Sequence, residues 1–493
     1  QLGGLDVTSN TYNFASEITA TTRQHYKGGS LALTVSNTYQ YDHAGRKTQT
    51  TETINSQGPV TTTYTYNAVG QLQARTTGGQ TTSYKYNPRG WIKEQSSGLF
   101  TQQLKYDDAT GSYAQYNGNI GQQLWTTNGQ SHSYNYSYDK ASRLTSGISD
   151  ENYNETGILY DKMGNIQSLT RQGPTGMPGL GTLSYAYNGN RLQSVSGGYN
   201  KSYSYNSNGS MTGDGTLNIQ YNELNLPKQV SGTPVGTVSY SYDAAGGKLS
   251  KQTVSETRQY VDGIEYIGTT IDLLHTEAGI ARNNGGTYTY EFFLKDHLGN
   301  TRIVHNSAGA VLQQQDYMPF GLDIARSQSV PNKYKYNGKE KQDELNQYDY
   351  GARFYDPVVG RWHVLDPLSE KMRRYSPYNY AFNNPIRFID PDGMRPTDWV
   401  RWTDKYGDQH ANYVASVKNQ SQAEEWAKSQ DADASNISTQ REGIVSRGYT
   451  DTDGTRRGYK LNEDGTITAL TYGKPTTTEH DVANAEPVTQ TGN

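Results

Sequence analysis

Residues 64–72 read YTYNAVGQL, and residues 39–46, 84–92, 136–144 and 158–166 read YQYDHAGR, YKYNPRGWI, YSYDKASRL and ILYDKMGNI. In Tyr64-x-Tyr66 the two rings lie two residues apart, on one face of a strand. Asn67 follows, with a side chain that can bond the backbone and open a turn. Gly70, three residues on, supplies the positive φ that the turn needs. Leu72 then opens a returning strand. Each unit is therefore a strand–turn–strand piece with one aromatic face that it cannot bury alone.

The phrase continues as LKYDDATG (104–111), YAYNGNRL (185–192), YSYNSNGS (203–210), IQYNELNLP (219–227) and YSYDAAGGKL (240–249). From Tyr41 to Tyr242 the mean step is about 22 residues, the period of a repeat array. Thr-rich stretches such as Thr61–Thr63 suit half-exposed strands. Stacked units make a long antiparallel sheet, which coils, and the pattern predicts Tyr ladders running across neighbouring strands. Composition agrees with this reading. Of 493 residues, 42 are Tyr, 52 are Gly and only 8 are Phe. Tyr replaces scarce aliphatics as a large ring whose hydroxyl needs a partner when buried.

Several function classes drop out. There is no Cys, which removes disulfides, zinc–thiolate sites and Cys nucleophiles. The net charge is −4, so no basic nucleic-acid surface is expected. No apolar stretch approaches the length of a membrane span. The nine His are scattered without a zinc-binding spacing, and no metal or cofactor is expected. Asp451-Thr-Asp453-Gly454 lacks the later ligands of a calcium loop and reads as a turn.

The second part changes character. Residues 296–302 read DHLGNTR, 316–321 DYMPFG, 334–340 YKYNGKE, 348–362 YDYGARFYDPVVGRW, 366–371 DPLSEK and 376–394 SPYNYAFNNPIRFIDPDGM. Pro357, Pro367, Pro385 and Pro391 each follow Asp or Asn and impose extended or turn geometry on that neighbour. Arginines sit among aromatics and acceptors, where a guanidinium stacks and bridges carbonyls.

The Y-x-Y-[D/N]-x-x-G units resemble the YD repeats of RHS proteins, and residues 291–394 resemble the RHS repeat-associated core domain, in the form found in Bacteroidota. The resemblance spans roughly residues 39–394. It implies an all-β-dominated fold: a coiled YD-repeat sheet forming a hollow shell, closed by the core domain, with a small α+β segment after it. The implied division is a strand-rich lead-in (1–38), the shell (39–290), the core (291–394) and a variable C-terminal domain (395–493).

The resemblance also implies one activity. RHS cores often cut their own chain after a Pro-x-x-x-x-Asp-Pro-x-Gly-Leu motif, using an aspartyl-protease-like pair. The matching residues here are Pro385, Asp390, Pro391 and Gly393, with Met394 in the Leu position. The partner by motif is Asp366, with Arg361 in support, and the implied scissile bond joins Met394 to Arg395. Two close carboxylates share one proton, so one can activate water while the other protonates the leaving amide. The enzyme question is thus confined to autoproteolysis.

Residues 395–493 hold 11 Lys and Arg against 15 Asp and Glu. Ser421-x-x-Glu424 is a capping-box pattern predicting a short helix over 425–428. Arg456–Leu461 and Thr466–Thr471 flank Asn462-Glu-Asp-Gly465 as a hairpin. Chains resembling this one carry either a nontoxic segment or a toxin here. Three functions are therefore expected: an exported carrier or scaffold with an encapsulated C-terminal segment; a bacterial cell-surface module, linked to type IX secretion, that docks a protein partner or glycan; and a polymorphic toxin. All three place the protein outside the cytoplasm, secreted or at the cell surface. With ten units, either the lumen is small or the chain is the C-terminal part of a longer one.

Overall fold

A computed structural model describes residues 4–329 and 332–394, together with the backbone of seven strands beyond them. Among the described residues there is no α-helix, only four short 3-10 turns between strands. No helix there is long and apolar enough to cross a membrane.

The strands form a 17-stranded sheet ending at Lys201–Ser202 and a 14-stranded sheet from Ser204–Tyr205 to Asp323–Gln328. Within each, consecutive strands pair antiparallel. Val60–Tyr66 pairs with Leu72–Thr77 in the first sheet, and Gly236–Tyr242 pairs with Lys248–Gln252 in the second.

The two sheets share one interior. Leu104, Tyr136, Leu169 and Leu183 of the first pack with Leu294, Ile303 and Phe320 of the second, and Val359 and Ile386 of the core join them. At Gly78 the approach is so close that a Cβ would lie 2.5 Å from the Phe292 ring.

The repeat turn forms as its residues dictate. Asp or Asn accepts two backbone N–H groups with its side-chain oxygen: Asn67 from Val69 and Gln71, Asn87 from Arg89 and Trp91, Asp139 from Ala141 and Arg143, Asp161 from Met163 and Asn165. The third residue after it is left-handed, with φ of 83° at Gly70 and 79° at Gly90. Ser142 and Asn225 take that place at 60° and 57°. The same turn recurs at Asp296 and Asn306, inside the stretch assigned by resemblance to the core. A bulge falls just before the second Tyr of each hairpin, between Thr65 and Tyr66, Lys85 and Tyr86, and Ser137 and Tyr138. Such bulges sharpen the local twist and coil the sheet.

The expected cross-strand Tyr ladders are corrected by the ring contacts. Tyr134 and Tyr136 stack at 5.6 Å, and Tyr185 and Tyr187 at 6.4 Å, along single strands. Across the ladder the second Tyr faces the apolar residue that opens the return strand, as Tyr138 faces Leu144 and Tyr160 faces Ile166. Its hydroxyl reaches back to the preceding unit. Tyr86 donates to the Leu72 carbonyl (2.9 Å), Tyr106 to Ile92 (3.0 Å), Tyr160 to Leu144 (2.6 Å) and Tyr242 to Pro227 (3.0 Å). Units such as these are thereby clasped to their predecessors by a hydroxyl of the aromatic face, whereas the Tyr205 hydroxyl has no partner among the described residues.

The chain divides into two compact units: one of residues 1–11, 20–39 and 49–395, the other of 12–19, 40–48 and 396–493. In the second, Tyr41 donates to the Ile18 carbonyl. Trp399–Thr403 there pairs with Gln409–Tyr413 and Ser435–Gln440, and Arg456–Leu461 pairs with Ile467–Tyr472 as the expected hairpin. The helix expected over 425–428 lies outside the described residues.

Candidate functional site

Asp366 and Asp390 come together around Arg353. One guanidinium nitrogen of Arg353 donates to Asp366 Oδ2 at 3.0 Å and to Asp390 Oδ2 at 3.1 Å. All three side chains are buried. The same guanidinium donates through Nε to the Gly393 carbonyl and through Nη1 to the Pro377 carbonyl at 3.2 Å. Its plane lies over the Trp362 ring, 4.4 Å from the centroid. Asp366 also accepts from the Leu368 N–H, and Asp390 from the Gly393 N–H.

Burial dominates the titration of both acids. It pushes Asp390 up to about 7, opposed by the Arg353 charge and assisted by the charges of Asp392 and Asp366. Asp366 is raised for the same first reason, again against Arg353. Burial therefore holds both acids toward the protonated form, Asp390 up to about pH 7.

The segment that carries the pair is tied down on both sides. The Lys339 ammonium donates to the Pro391 carbonyl, and the Ala352 N–H to the Asp392 carbonyl. Gly393 has a φ of 76°, and a Cβ there would lie 3.0 Å from the backbone nitrogen of Arg353. Met394 is exposed, one residue beyond the carbonyl that Arg353 holds.

Upstream, the core lies along a row of repeat turns and takes their free carbonyls. Asn384 donates to the Ser142 carbonyl (2.8 Å) and to Asn119 Oδ1 (3.0 Å). Asn383 donates to Gly164 (2.8 Å), Tyr378 to Gly209 (2.7 Å) and Arg387 to Asn117 (2.8 Å).

The Teneurin YD-shell family matches residues 112–261. Toxin subunit YenC2 of Yersinia entomophaga is 40% identical over 98 residues, which are 19% of this chain and 10% of that protein. Salivary gland surface protein 1 of Aedes aegypti is 35% identical over 160 residues, 32% of this chain and 4% of that protein. The crystal structure of TcdB2-TccC3-TEV superposes with a TM-score of 0.54 at 18% identity, covering 78% of this chain and 21% of that one. The chain has the fold of a YD-repeat shell. It spans a tenth or less of the length of those two curated relatives.

In this shell the cation at the acid pair is Arg353, and Arg361 stands elsewhere. Arg361 donates to the Asn190 carbonyl at 2.9 Å and lies over the rings of Tyr187 and Tyr378. The two arginines differ in their strand position. Asp356 pairs across the ladder with Arg361, whereas Arg353 precedes that strand and turns toward the segment 390–393. Nothing in local spacing separates them; only the chain path does. Arg395 lies outside the described residues.

One further cluster was invisible in the sequence. His132, Glu151 and Asp316 place one ligand atom each within 4.8 Å of one another. Arg302 and Arg326 already donate to Asp316, and Arg326 to Glu151, so the group is an ion-pair network between the two sheets.

Proposed function

We propose that this chain is a structural carrier of the RHS type, working outside the cytoplasm, which cuts itself after Met394 and so separates residues 395–493 from the shell. The observation that carries the reading is the Arg353 guanidinium, which holds both carboxylates and the Gly393 carbonyl. It ties the acids to the Gly393 carbonyl, one residue before the bond they would cut. Asp390, held protonated by burial, would act as the acid and Asp366 as the base. Water adds to the Met394 carbonyl carbon and gives a proton to Asp366. The C–N bond breaks, and the Arg395 amine leaves with the proton from Asp390. The Leu-to-Met change keeps an apolar side chain of similar size before the bond.

Intact mass under denaturing conditions tests this. The parent is expected as two fragments split at Met394–Arg395, and Asp390→Asn as one 54.8 kDa chain. A single species in both would end the self-cleavage reading and favour a surface-binding module for a protein or glycan. A cut that persists in the variant would assign the chemistry elsewhere.

The match to a protein named a toxin subunit supports a second reading, in which 395–493 is an effector. Growth arrest on cytoplasmic expression of that segment would support it. Normal growth would leave the segment as a docking or accessory domain. Bacteroidota origin and type IX export remain expectations of the same resemblance.

A further inference from the structure

Ala381, Phe382 and Asn383 are three consecutive left-handed residues, with φ of 45°, 54° and 59°. None is Gly. Such a run persists only where surrounding contacts over-determine it. Tyr375 packs on Phe382 at 4.8 Å from within the core, and the repeat supplies the rest: Asn383 and the next residue, Asn384, donate to the turns at Gly164 and Ser142. Asn384 also donates to Asn119, and all three asparagines are buried. From there the path to the acid pair is short and stiff. The Asn384 carbonyl accepts from the N–H groups of Arg387 and Phe388. Phe388 packs edge-on against Phe382 at 5.5 Å, and Asp390 follows.

We infer that Asn383 and Asn384 are positioning residues for the proposed cleavage: they read two turns of the repeat and hold the segment 388–394 in place, so the acid pair is assembled only on a completed row of turns. The inference rests on the self-cleavage reading, but its central claim concerns the order of a segment and has its own readout. Within one turn of the same sheet there is a built-in control. Among the described residues, the bonds of the Asn67 turn stay inside that turn.

The experiment uses the full chain. Asn384→Ala, Asn119→Ala, Asn119→Asp and Asn67→Ala are compared for cleavage rate by intact mass, well below the unfolding temperature. A misplacement of this kind is expected to slow cleavage by about 100-fold in Asn384→Ala and by about tenfold in Asn119→Ala. Asn119→Asp keeps the acceptor and loses an Nδ2 donor that has no partner, but it buries a carboxylate, so it should cut faster than Asn119→Ala and more slowly than the parent. Asn67→Ala should cut at the parent's rate although it lowers the melting temperature. In the uncut Asp390→Asn background, hydrogen exchange reads the segment directly. There Asn384→Ala should speed exchange at Gly393 and Met394 by about tenfold and Asn67→Ala should leave it unchanged. Parent-like cleavage and exchange in Asn384→Ala would overturn the inference, as would equal slowing in Asn67→Ala. If the parent chain is never cut, the cleavage reading fails by itself, and the exchange result still decides whether the turns hold the segment.

Discussion

The repeat and the core use tyrosine in opposite ways. In the repeat, the second Tyr commonly gives its hydroxyl to a carbonyl of the preceding unit, as Tyr86 does to Leu72 and Tyr160 to Leu144. In the core, Tyr336, Tyr348, Tyr350, Tyr355 and Tyr380 pack ring on ring with Trp362, and Tyr355 and Tyr380 stack at 3.8 Å. The hydroxyl of Tyr348 and the indole nitrogen of Trp362 have no partner among the described residues. A repeated hydroxyl clasp joins identical units. A packed aromatic cluster, which need not repeat, gives the core a rigid floor under Arg353.

The sharpest break in that comparison is Arg353→Met. It leaves the buried acid pair without its cation and two carbonyls without their donor, and should cost about 3–5 kcal/mol in denaturant unfolding. Arg353→Lys should recover little, because one ammonium lacks the planar fork that reaches both acids and two carbonyls. Loss of less than about 1 kcal/mol in Arg353→Met would show that the pair does not depend on that charge.

Next in size is the pH dependence of the core. The native state keeps a proton on Asp390 up to about 7, whereas the unfolded chain releases it near the ordinary aspartate value of 3.8. Between those values the native state binds more protons, so stability is greatest at the acid end and falls as pH rises through the window. Asp390→Asn should flatten this slope, measured as melting temperature at about pH 4, 5.5 and 7.

Smaller still, Tyr160→Phe removes a clasp and should cost about 1 kcal/mol, leaving the Leu144 carbonyl unpaired. Tyr348→Phe removes a hydroxyl that has no partner and should be neutral or slightly stabilising. Equal effects would erase the distinction between the two regions. Similar in size to the loss of one clasp is Ser142→Gly, which relieves a left-handed non-Gly residue and gives up only a hydroxyl that accepts from Asn117 in an exposed hydrogen bond. It should change stability by about 0.5–1 kcal/mol in the stabilising direction.

How much was legible follows from distance along the chain. The turn was readable because its parts lie within a few residues of one another: the acceptor of Asn67, the φ of Gly70 and the apolar Leu72. Asp366 and Asp390 were readable through the family motif. Arg353 was not, because it and Arg361 both sit among aromatics in the same short stretch. The roles of Asn383 and Asn384 were hidden too, since their acceptors at Gly164 and Ser142 lie 219 and 242 residues away.

Local chemistry therefore determined the repeating element. A Tyr-x-Tyr strand, an Asx turn and a left-handed third residue follow from backbone preference and side-chain reach, and they recur wherever the residues do. Tertiary structure decided where each hydroxyl went, which arginine met the acid pair and which turns carried the core. Those outcomes depend on how the twist of successive bulged hairpins accumulates until distant carbonyls and carboxylates meet, a quantity that no single unit contains.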